Sequence, residues 1–325
     1  MLEEKDEFLI EQDLENWVIT KCDSWRDHYE ANYAQRFEEY YRLWRGQWSI
    51  EDRTRETERS KIITPALQQA VESSVAELEE ATFGRGKWFD IKDDIQDQET
   101  QDIEMLRKNL DQDFKKNKVR KAVAECLINA AVFGTGIAEV VLSEEKEMTP
   151  ATQPVMGGEL QAVGVTIRDR TCVKLRPVMP QNFLIDPVAT DIDSALGCAI
   201  DEFVSSHLVE QLQESGVYRD VDIVSASPDF DIEPDQDLTS FDDDKVRLTK
   251  YYGLVPRHLL EKAMQDEDAE DEEIVDLDQE ESSSYYVEAV VIIANGGTLL
   301  KASENPYMMQ DRPIIAFPWD VVPSR

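Results

Sequence analysis

The 325-residue sequence is poor in cysteine and histidine, the residues on which many metal sites and nucleophilic enzymes depend. Its four cysteines, Cys22, Cys126, Cys172 and Cys198, lie far apart, with no C-x-x-C pair. This spacing indicates neither a zinc site nor a disulfide framework, and it predicts reduced thiols in a cytosolic setting. The three histidines lie on unrelated segments, and neither H-E-x-x-H nor G-x-S-x-G occurs. We therefore expect a protein that is not an enzyme and that holds no cofactor.

Long hydrophobic runs are absent as well. No apolar stretch approaches the roughly 20 residues that a membrane span needs, so no membrane partner is expected. The acidic start MLEEKDEF argues against a secretory signal peptide. The segment FGRGK resembles a phosphate-binding loop only superficially, because Lys87 is followed by Trp88 instead of a serine or threonine.

Basic residues are scarce: 34 lysines and arginines stand against 69 aspartates and glutamates, which gives a formal net charge of −35. Such a chain repels phosphate over most of its surface, which argues against a tight grip on DNA by these residues. Solubility, a high-salt environment or a functional repulsive surface would each account for the excess. One basic patch interrupts it, formed by Lys115, Lys116, Lys118, Arg120 and Lys121. This basic patch either contacts phosphate or an acidic neighbour, or it is a solvated helix face that balances local acids.

The first 136 residues carry helical patterns. Residues 3–45 place aromatic and aliphatic residues at spacings of three and four, which predicts amphipathic helix in two pieces with an aromatic packing face. Thr64-Pro65 is typical of a helix start, and Gly84 and Gly86 are expected to end that helix. A short strand is expected at Trp88–Ile91. A third helical region is predicted from about Asp97 to Phe133.

The rest of the chain is β-rich, so the sequence predicts an α+β protein with a helical N-terminal region at 1–136 and a β-rich domain at 137–325. A short helix is expected at 207–216, and strands at 137–143, 162–168, 171–177, 197–205, 285–294 and 313–319. Asn295-Gly296-Gly297 predicts a hairpin turn. Two acidic segments near 222–245 and 266–284 contain few apolar residues and are expected to be flexible insertions.

Two short motifs mark places where the backbone is constrained. Gly134-Thr135-Gly136 ends the third helical region and supplies backbone freedom where a side chain would clash. It follows a helix and precedes a strand, which is the reverse of the dinucleotide-binding order. The run from Asn182 and Phe183 to Asp186 and Pro187 follows a strand. Because Pro187 fixes its own φ and keeps Asp186 extended, we expect a rigid corner there.

The order of these pieces resembles the portal (head-to-tail connector) proteins of tailed bacteriophages, of the type found in short-tailed phages. Nearly all 325 residues take part in the resemblance, which four segments carry. These segments are YYRLWRGQW together with RTRETERSKIITPALQQAVESSVAELEEATFGRGKWFDI, then LINAAVFGTGIAEVVL, then VMPQNFLIDPVATDIDSALGCAIDEFVSSHLVEQL, and finally YMMQDRPIIAFPWDVVPSR.

The resemblance implies a structural protein without catalytic activity that forms a ring of about twelve copies at one capsid vertex. Both the helical region and the β-rich domain would belong to the wing of such a portal, and the channel-forming stem, clip and crown would lie beyond Arg325. Viral DNA would be packaged and ejected through the ring as double-stranded DNA. The implied partners are the major capsid protein, the scaffold, the large terminase subunit, and the head–tail adaptor and tail proteins. The expected location is the head–tail junction of the virion, with the host cytoplasm during assembly.

Two other classes of function remain open at this point. An acidic, DNA-mimicking or scaffold-type interaction protein would be a monomer or dimer that binds a basic partner in a salt-sensitive way. A metal-dependent nucleic-acid enzyme built on the aspartate-rich segments would cleave in the presence of Mg²⁺. The sequence shows no compact, spaced carboxylate motif for the enzyme, and its aromatic helices and ordered β-rich part argue against a mere acidic mimic.

Overall fold

The computed structural model describes residues 13–49, 54, 64–85, 88–91, 100–154, 160–223, 245–268, 285–307 and 311–320. These residues form a mixed helix-and-sheet, α+β structure. The chain divides into two compact units. The first unit takes its residues from 1–39 and 181–312, and the second from 40–180 and 313–325.

The first unit is built on an antiparallel sheet of five strands in the order β3-β4-β5-β6-β7. The strands are β3 (Phe183–Ile185), β4 (Gly197–Ser205), β5 (Lys245–Pro256), β6 (Tyr286–Ala294) and β7 (Thr298–Glu304). Its helices are α1 (Leu14–Tyr29), α6 (Ser206–Glu214) and α7 (Arg257–Asp268), and a 3₁₀ turn spans Pro180–Asn182. Helix α1 continues through a π-helical turn (Glu30–Ala34) into α2 (Gln35–Trp44).

Helix α1 covers one face of this sheet because its apolar residues recur at helical spacing. Its buried side chains are Leu14, Trp17, Val18, Cys22 and Trp25. The rings of Trp17 and Trp25 pack against Tyr251 of β5, with centroid separations of 6.2 Å and 6.0 Å. Burying each large apolar side chain contributes about 1.5–3 kcal/mol. The aromatic packing face predicted for this first helical piece is therefore confirmed.

Strands β4 and β5 contain two paired positions that have no room for a side chain. Gly197 and Gly253 face each other directly in the register. A Cβ at Gly253 would lie 2.4 Å from the Gly197 Cα, and one at Gly197 would lie 2.5 Å from the Tyr251 hydroxyl oxygen. That hydroxyl donates a hydrogen bond to the Leu254 carbonyl at 2.9 Å. Both positions consequently need glycine for lack of space.

The second unit combines three helices with a three-stranded antiparallel sheet in the order β2-β1-β8. The helices are α3 (Ala66–Phe83), α4 (Thr100–Lys116) and α5 (Val119–Phe133), and the strands are β1 (Thr135–Pro154), β2 (Leu160–Val178) and β8 (Ile314–Pro318). The spacing of Val119, Ala122, Cys126 and Ala130 gives α5 one buried face. Helix α5 lies between α3 and the β1–β2 hairpin and contacts both.

The division into units differs from the one predicted at residue 136. Helix α1 joins the five-stranded sheet, although about 150 residues separate it from β3. Strand β8 joins β1, so that the last described strand belongs with the middle of the chain. The cause is non-local packing and pairing, which a reading along the chain does not capture. The predicted acidic insertions at 222–245 and 266–284 lie almost wholly outside the described residues.

Several predicted elements form with altered limits. The helical region predicted for 97–133 is two helices, because Lys118 adopts a left-handed conformation with φ of 54° between α4 and α5. The strands predicted at 162–168 and 171–177 are one continuous strand, β2. A strand predicted at Trp88–Ile91 does not form: Trp88 instead packs its ring on Phe83, Phe89 and Phe114 at 5.1–5.3 Å between centroids.

Candidate functional site

The Asp186-Pro187 corner follows directly after β3. The Asp186 carboxylate accepts a hydrogen bond from the Val188 amide at 3.1 Å, and its carbonyl accepts one from the Ala189 amide at 3.1 Å. Asparagine and aspartate make such local bonds at turns, and proline suits the following position. Pro187 and Val188 are exposed, so the tip of the corner faces solvent. The chain therefore makes a hydrogen-bonded turn at this position.

The two other residues of that motif have different environments. Phe183 is buried and pairs across the sheet with Ile200 of β4. Asn182 ends the 3₁₀ turn and is exposed. Phe183 thus anchors the corner in the sheet, and Asn182 lies on its solvent side.

A buried arginine holds the loop that follows the corner. The Arg312 guanidinium donates from Nη2 to Glu288 Oε1 at 2.7 Å and to the Ala195 carbonyl at 2.9 Å. Its Nη1 donates to the Ile192 carbonyl. Only 3% of the Arg312 side chain is exposed. We call this arrangement the Arg312 clamp; it joins β6 to the loop at 192–196 and restrains the chain between β3 and β4. Nothing in the local sequence distinguishes Arg312 from other arginines, so sequence reasoning missed it.

Gly134 and Gly136 form the joint between α5 and β1. Gly134 has φ of 89°, and its amide donates to the Ala130 carbonyl at 2.8 Å, which caps the helix. Gly136 lies opposite Phe317 of β8. A Cβ there would lie 2.5 Å from the Phe317 ring and 2.8 Å from the Cys126 carbonyl oxygen. The first glycine is thus needed for conformation and the second for space.

An ion network lies between α1 and the sheet of the first unit. The Asp201 carboxylate accepts from Arg26 at 3.0 Å, from Arg247 at 2.5 Å and from the Thr249 hydroxyl at 2.7 Å. Burial would lower the pKa of Arg26, but the Asp201 and Asp23 carboxylates outweigh it and raise that pKa. The network ties the helix to strands β4 and β5.

A cavity of about 260 Å³ adjoins this network. Its lining combines apolar side chains with the charged groups just described: Val18, Ile19, Cys22, Asp23, Arg26, Arg247, Thr249, Ile293 and Gly296. Burial raises the pKa of the Cys22 thiol to about 12, so the thiol is neutral at physiological pH. The two guanidinium groups are engaged by Asp201, which makes this a packing defect beside a satisfied network.

The basic patch is closely accompanied by acids. Lys115 pairs with Asp111 at 2.6 Å, Arg120 with Glu79 at 2.5 Å and Lys121 with Glu125 at 3.3 Å. Lys116 ends α4, and Lys118 takes the left-handed position before α5. The patch therefore surrounds the α4–α5 junction, and three of its five residues have acidic partners within the second unit.

Two runs of aromatic residues follow Trp25 along the chain. In the first unit, the rings of Tyr29, Tyr33 and Phe37 pack together with centroid separations of 5.8–6.4 Å. In the second unit, the segment Tyr40–Trp48 carries exposed side chains: Tyr41 is 39%, Leu43 46% and Trp48 36% exposed. The packing role predicted for the whole aromatic face thus does not extend to this segment.

All four cysteines are buried free thiols. Burial raises the pKa of Cys198 to about 12 and that of Cys126 to about 11. Among the residues that the structure describes, no group of three or more histidine, cysteine, aspartate or glutamate side chains is arranged to hold a metal ion. Within the same ranges, none of the helices combines the length and the apolar composition of a membrane span.

Comparison with models of known protein families gives no match for this chain. Comparison with curated proteins likewise gives no significant match. Function must therefore be argued from the residues and the fold.

Proposed function

We propose that this chain is the wing-forming part of a portal (head-to-tail connector) protein of a short-tailed bacteriophage. The proposal rests on the resemblance of four sequence segments to that family. In the ring, the chain would act as a structural element at one capsid vertex through which double-stranded DNA is packaged and ejected.

The main observation in support of the proposal is that two of those segments pair with each other in the structure. LINAAVFGTGIAEVVL and YMMQDRPIIAFPWDVVPSR are separated by about 160 residues of sequence. In the second unit they form neighbouring strands: Gly136 of β1 pairs with Phe317 of β8, and the Trp319 amide donates to the Gly134 carbonyl at 2.9 Å. Two of the segments that carry the resemblance are thus parts of one sheet, which is consistent with their belonging to one structural element.

A second pair of segments meets in the first unit. Arg312, from the last segment, binds the loop at 192–196, which belongs to the segment that begins VMPQNFLIDP. The loop that follows the corner is thereby held by the residue that precedes β8 in the sequence. A rigid corner suits a protein that must present a fixed surface to neighbouring copies.

The proposed partners follow from the proposed role. They are further copies of the chain, the major capsid protein, the scaffold, the large terminase subunit, and the adaptor and tail proteins at the head–tail junction.

The test is the oligomeric state of the full-length gene product, measured by native mass spectrometry and negative-stain imaging. We expect rings of about twelve copies with a central hole, since a repeated head-to-tail contact closes into a ring. The series should run from about 0.05 M to about 0.5 M NaCl, because like-charged subunits repel most strongly at low ionic strength. A monomer or dimer throughout that range would overturn the proposal.

A further inference from the structure

The segment Tyr40–Trp48 has the composition of a protein–protein contact and not of an ordinary surface. Its sequence, YYRLWRGQW, contains four aromatic residues and two arginines in nine positions, with no aspartate or glutamate. Tryptophan, tyrosine and arginine are the residues enriched at the energetic centres of interfaces, whereas acids and lysine are depleted there. In a chain with 69 acidic residues, a nine-residue segment with two arginines and no acid is unusual.

The segment is also held rigidly. Helix α2 ends in a complete Schellman motif: the Gln47 amide donates to the Arg42 carbonyl at 3.0 Å and the Gly46 amide to the Leu43 carbonyl at 3.1 Å. Gly46 takes the required left-handed conformation with φ of 64°. The Arg42 guanidinium adds a 3.0 Å bond to the Gln47 carbonyl. A fixed backbone lowers the ordering cost of binding, so these aromatic side chains are prepared for contact.

Arg45 is arranged to present its charge outwards. Its guanidinium carbon lies 5.8 Å from the centroid of the Tyr41 ring and 5.4 Å from that of Trp44. The two rings are 5.8 Å apart. Arg45 has no carboxylate at ion-pair distance among the residues that the structure describes. An exposed guanidinium held against aromatic rings is available for a partner's carboxylate.

Helix α3 of the same unit has the complementary surface. Only Val75 and Phe83 are buried along its 18 residues. Leu67 and Leu78 are 49% and 43% exposed and share one strip of the helix with Val71 and Ser74, next to the row that contains Val75. Glu77 lies beside this apolar strip and is exposed. The leucines can pack on aromatic rings, and the glutamate can pair with an arginine.

We propose that the Tyr40–Trp48 segment of one copy binds the outer face of helix α3 in a second copy. The two surfaces are complementary in charge and in apolar character. The aromatic rings of one copy can pack on the leucines of the other, and the arginine of one can pair with the glutamate of the other. Because the two surfaces differ, the contact is head-to-tail, which is the kind that can close into a ring. The inference rests on the proposed portal function and assigns the subunit contact within it.

The experiment measures the protein concentration at half assembly for the full-length protein by mass photometry and analytical ultracentrifugation. Arg45→Glu, Trp48→Ala and Glu77→Lys should each raise that concentration, by roughly thirtyfold where the residue is a hot spot. The double variant Arg45→Glu/Glu77→Lys restores the opposite charges and should regain most of the wild-type assembly. Circular dichroism confirms that each variant is folded.

Two matched controls lie on α4 of the same unit. Met105→Ala removes an apolar side chain that is 64% exposed, and Lys108→Glu makes the same charge change as Arg45→Glu on another exposed position. Both should assemble like the wild type. The inference would be overturned if the three test variants assembled at the wild-type concentration. It would also be overturned if the double variant needed a concentration as high as the two single effects combined predict. A wild type that never forms rings would instead overturn the proposed portal function, so the two failures are distinct.

Discussion

Replacing Arg312 by alanine should destabilise the first unit more than any exposed ion-pair substitution. The Arg312 clamp joins an arginine whose side chain is 3% exposed to a Glu288 side chain that is 16% exposed. It also supplies donors to the carbonyls of Ile192 and Ala195. Removing the arginine leaves a largely buried carboxylate without its cation and deprives these carbonyls of their donor.

The expected loss follows from the cost of an uncompensated buried charge. Breaking a buried ion pair by removing one partner costs about 3–5 kcal/mol. Arg312→Lys should recover little of this, because one ammonium group cannot reproduce the guanidinium fork that reaches a carboxylate and two carbonyls together. The double variant Arg312→Met/Glu288→Met removes both charges and should be more stable than Arg312→Ala by about 1–3 kcal/mol.

Urea titrations followed by tryptophan fluorescence measure the loss, since Trp17 and Trp25 report on the core of this unit. Arg257→Ala is the matched control: Arg257 also pairs with a glutamate in the first unit, but its side chain is 51% exposed. That control should lose little stability, because solvent screens an exposed ion pair. Hydrogen exchange should also accelerate at residues 192–197 in Arg312→Ala. If Arg312→Ala lost no more stability than Arg257→Ala and its hydrogen exchange were unchanged, the Arg312 clamp would not be a stabilising contact.

Three further predictions concern single positions. Gly134→Ala should lower the free energy of unfolding by about 1 kcal/mol because of its positive φ alone. Gly136→Ala should lower it by about 2–3 kcal/mol, because the added Cβ meets a ring and a carbonyl oxygen, and urea titration measures both losses. Lys118→Gly should raise the unfolding free energy by about 0.5–1 kcal/mol, and an unchanged midpoint would contradict strain at its φ of 54°. Since burial raises the pKa of the Cys22 and Cys198 thiols to about 12, their contribution to stability is complete below about pH 8.5 and is lost as the pH rises towards 12. Ellman's reagent should leave the native thiols unmodified at pH 8, and replacing both by alanine should reduce the fall in urea midpoint between pH 8 and pH 10.5.

Local patterns predicted the elements whose signals are contained within a few residues. Strand β4 was expected at 197–205 and spans Gly197–Ser205. The hairpin turn at Asn295-Gly296-Gly297 forms, with φ of 47° at Asn295 and 69° at Gly296, as the turn type requires. The helix expected at 207–216 spans Ser206–Glu214. The alternation of apolar and polar residues, the turn residues and the helical periodicity are all contained within the residues that form these elements.

Features that depend on distant partners could not be predicted. Residues on either side of Lys118 keep a helical pattern, so the break appears only where the Asn117 amide group donates to the Val173 carbonyl of β2 at 2.8 Å. The network around Asp201 brings together Arg26 and Arg247 from segments that are about 220 residues apart. Charged residues are so abundant in this chain that no sequence pattern singles out the few that become buried.

The use of arginine explains how so acidic a chain forms a core at all. Carboxylates that are drawn into the structure need a cation that satisfies several acceptors at once, and the guanidinium fork does this better than an ammonium group. Arg247 serves Asp201, Arg312 serves Glu288, and Arg176 of β2 serves the buried Glu139 of β1. Each of these pairs removes one positive and one negative charge from the surface, so the surface keeps the whole acidic excess of the chain. On that surface, Arg45 is an exposed guanidinium held against two aromatic rings, which is why we assign it to a contact between copies.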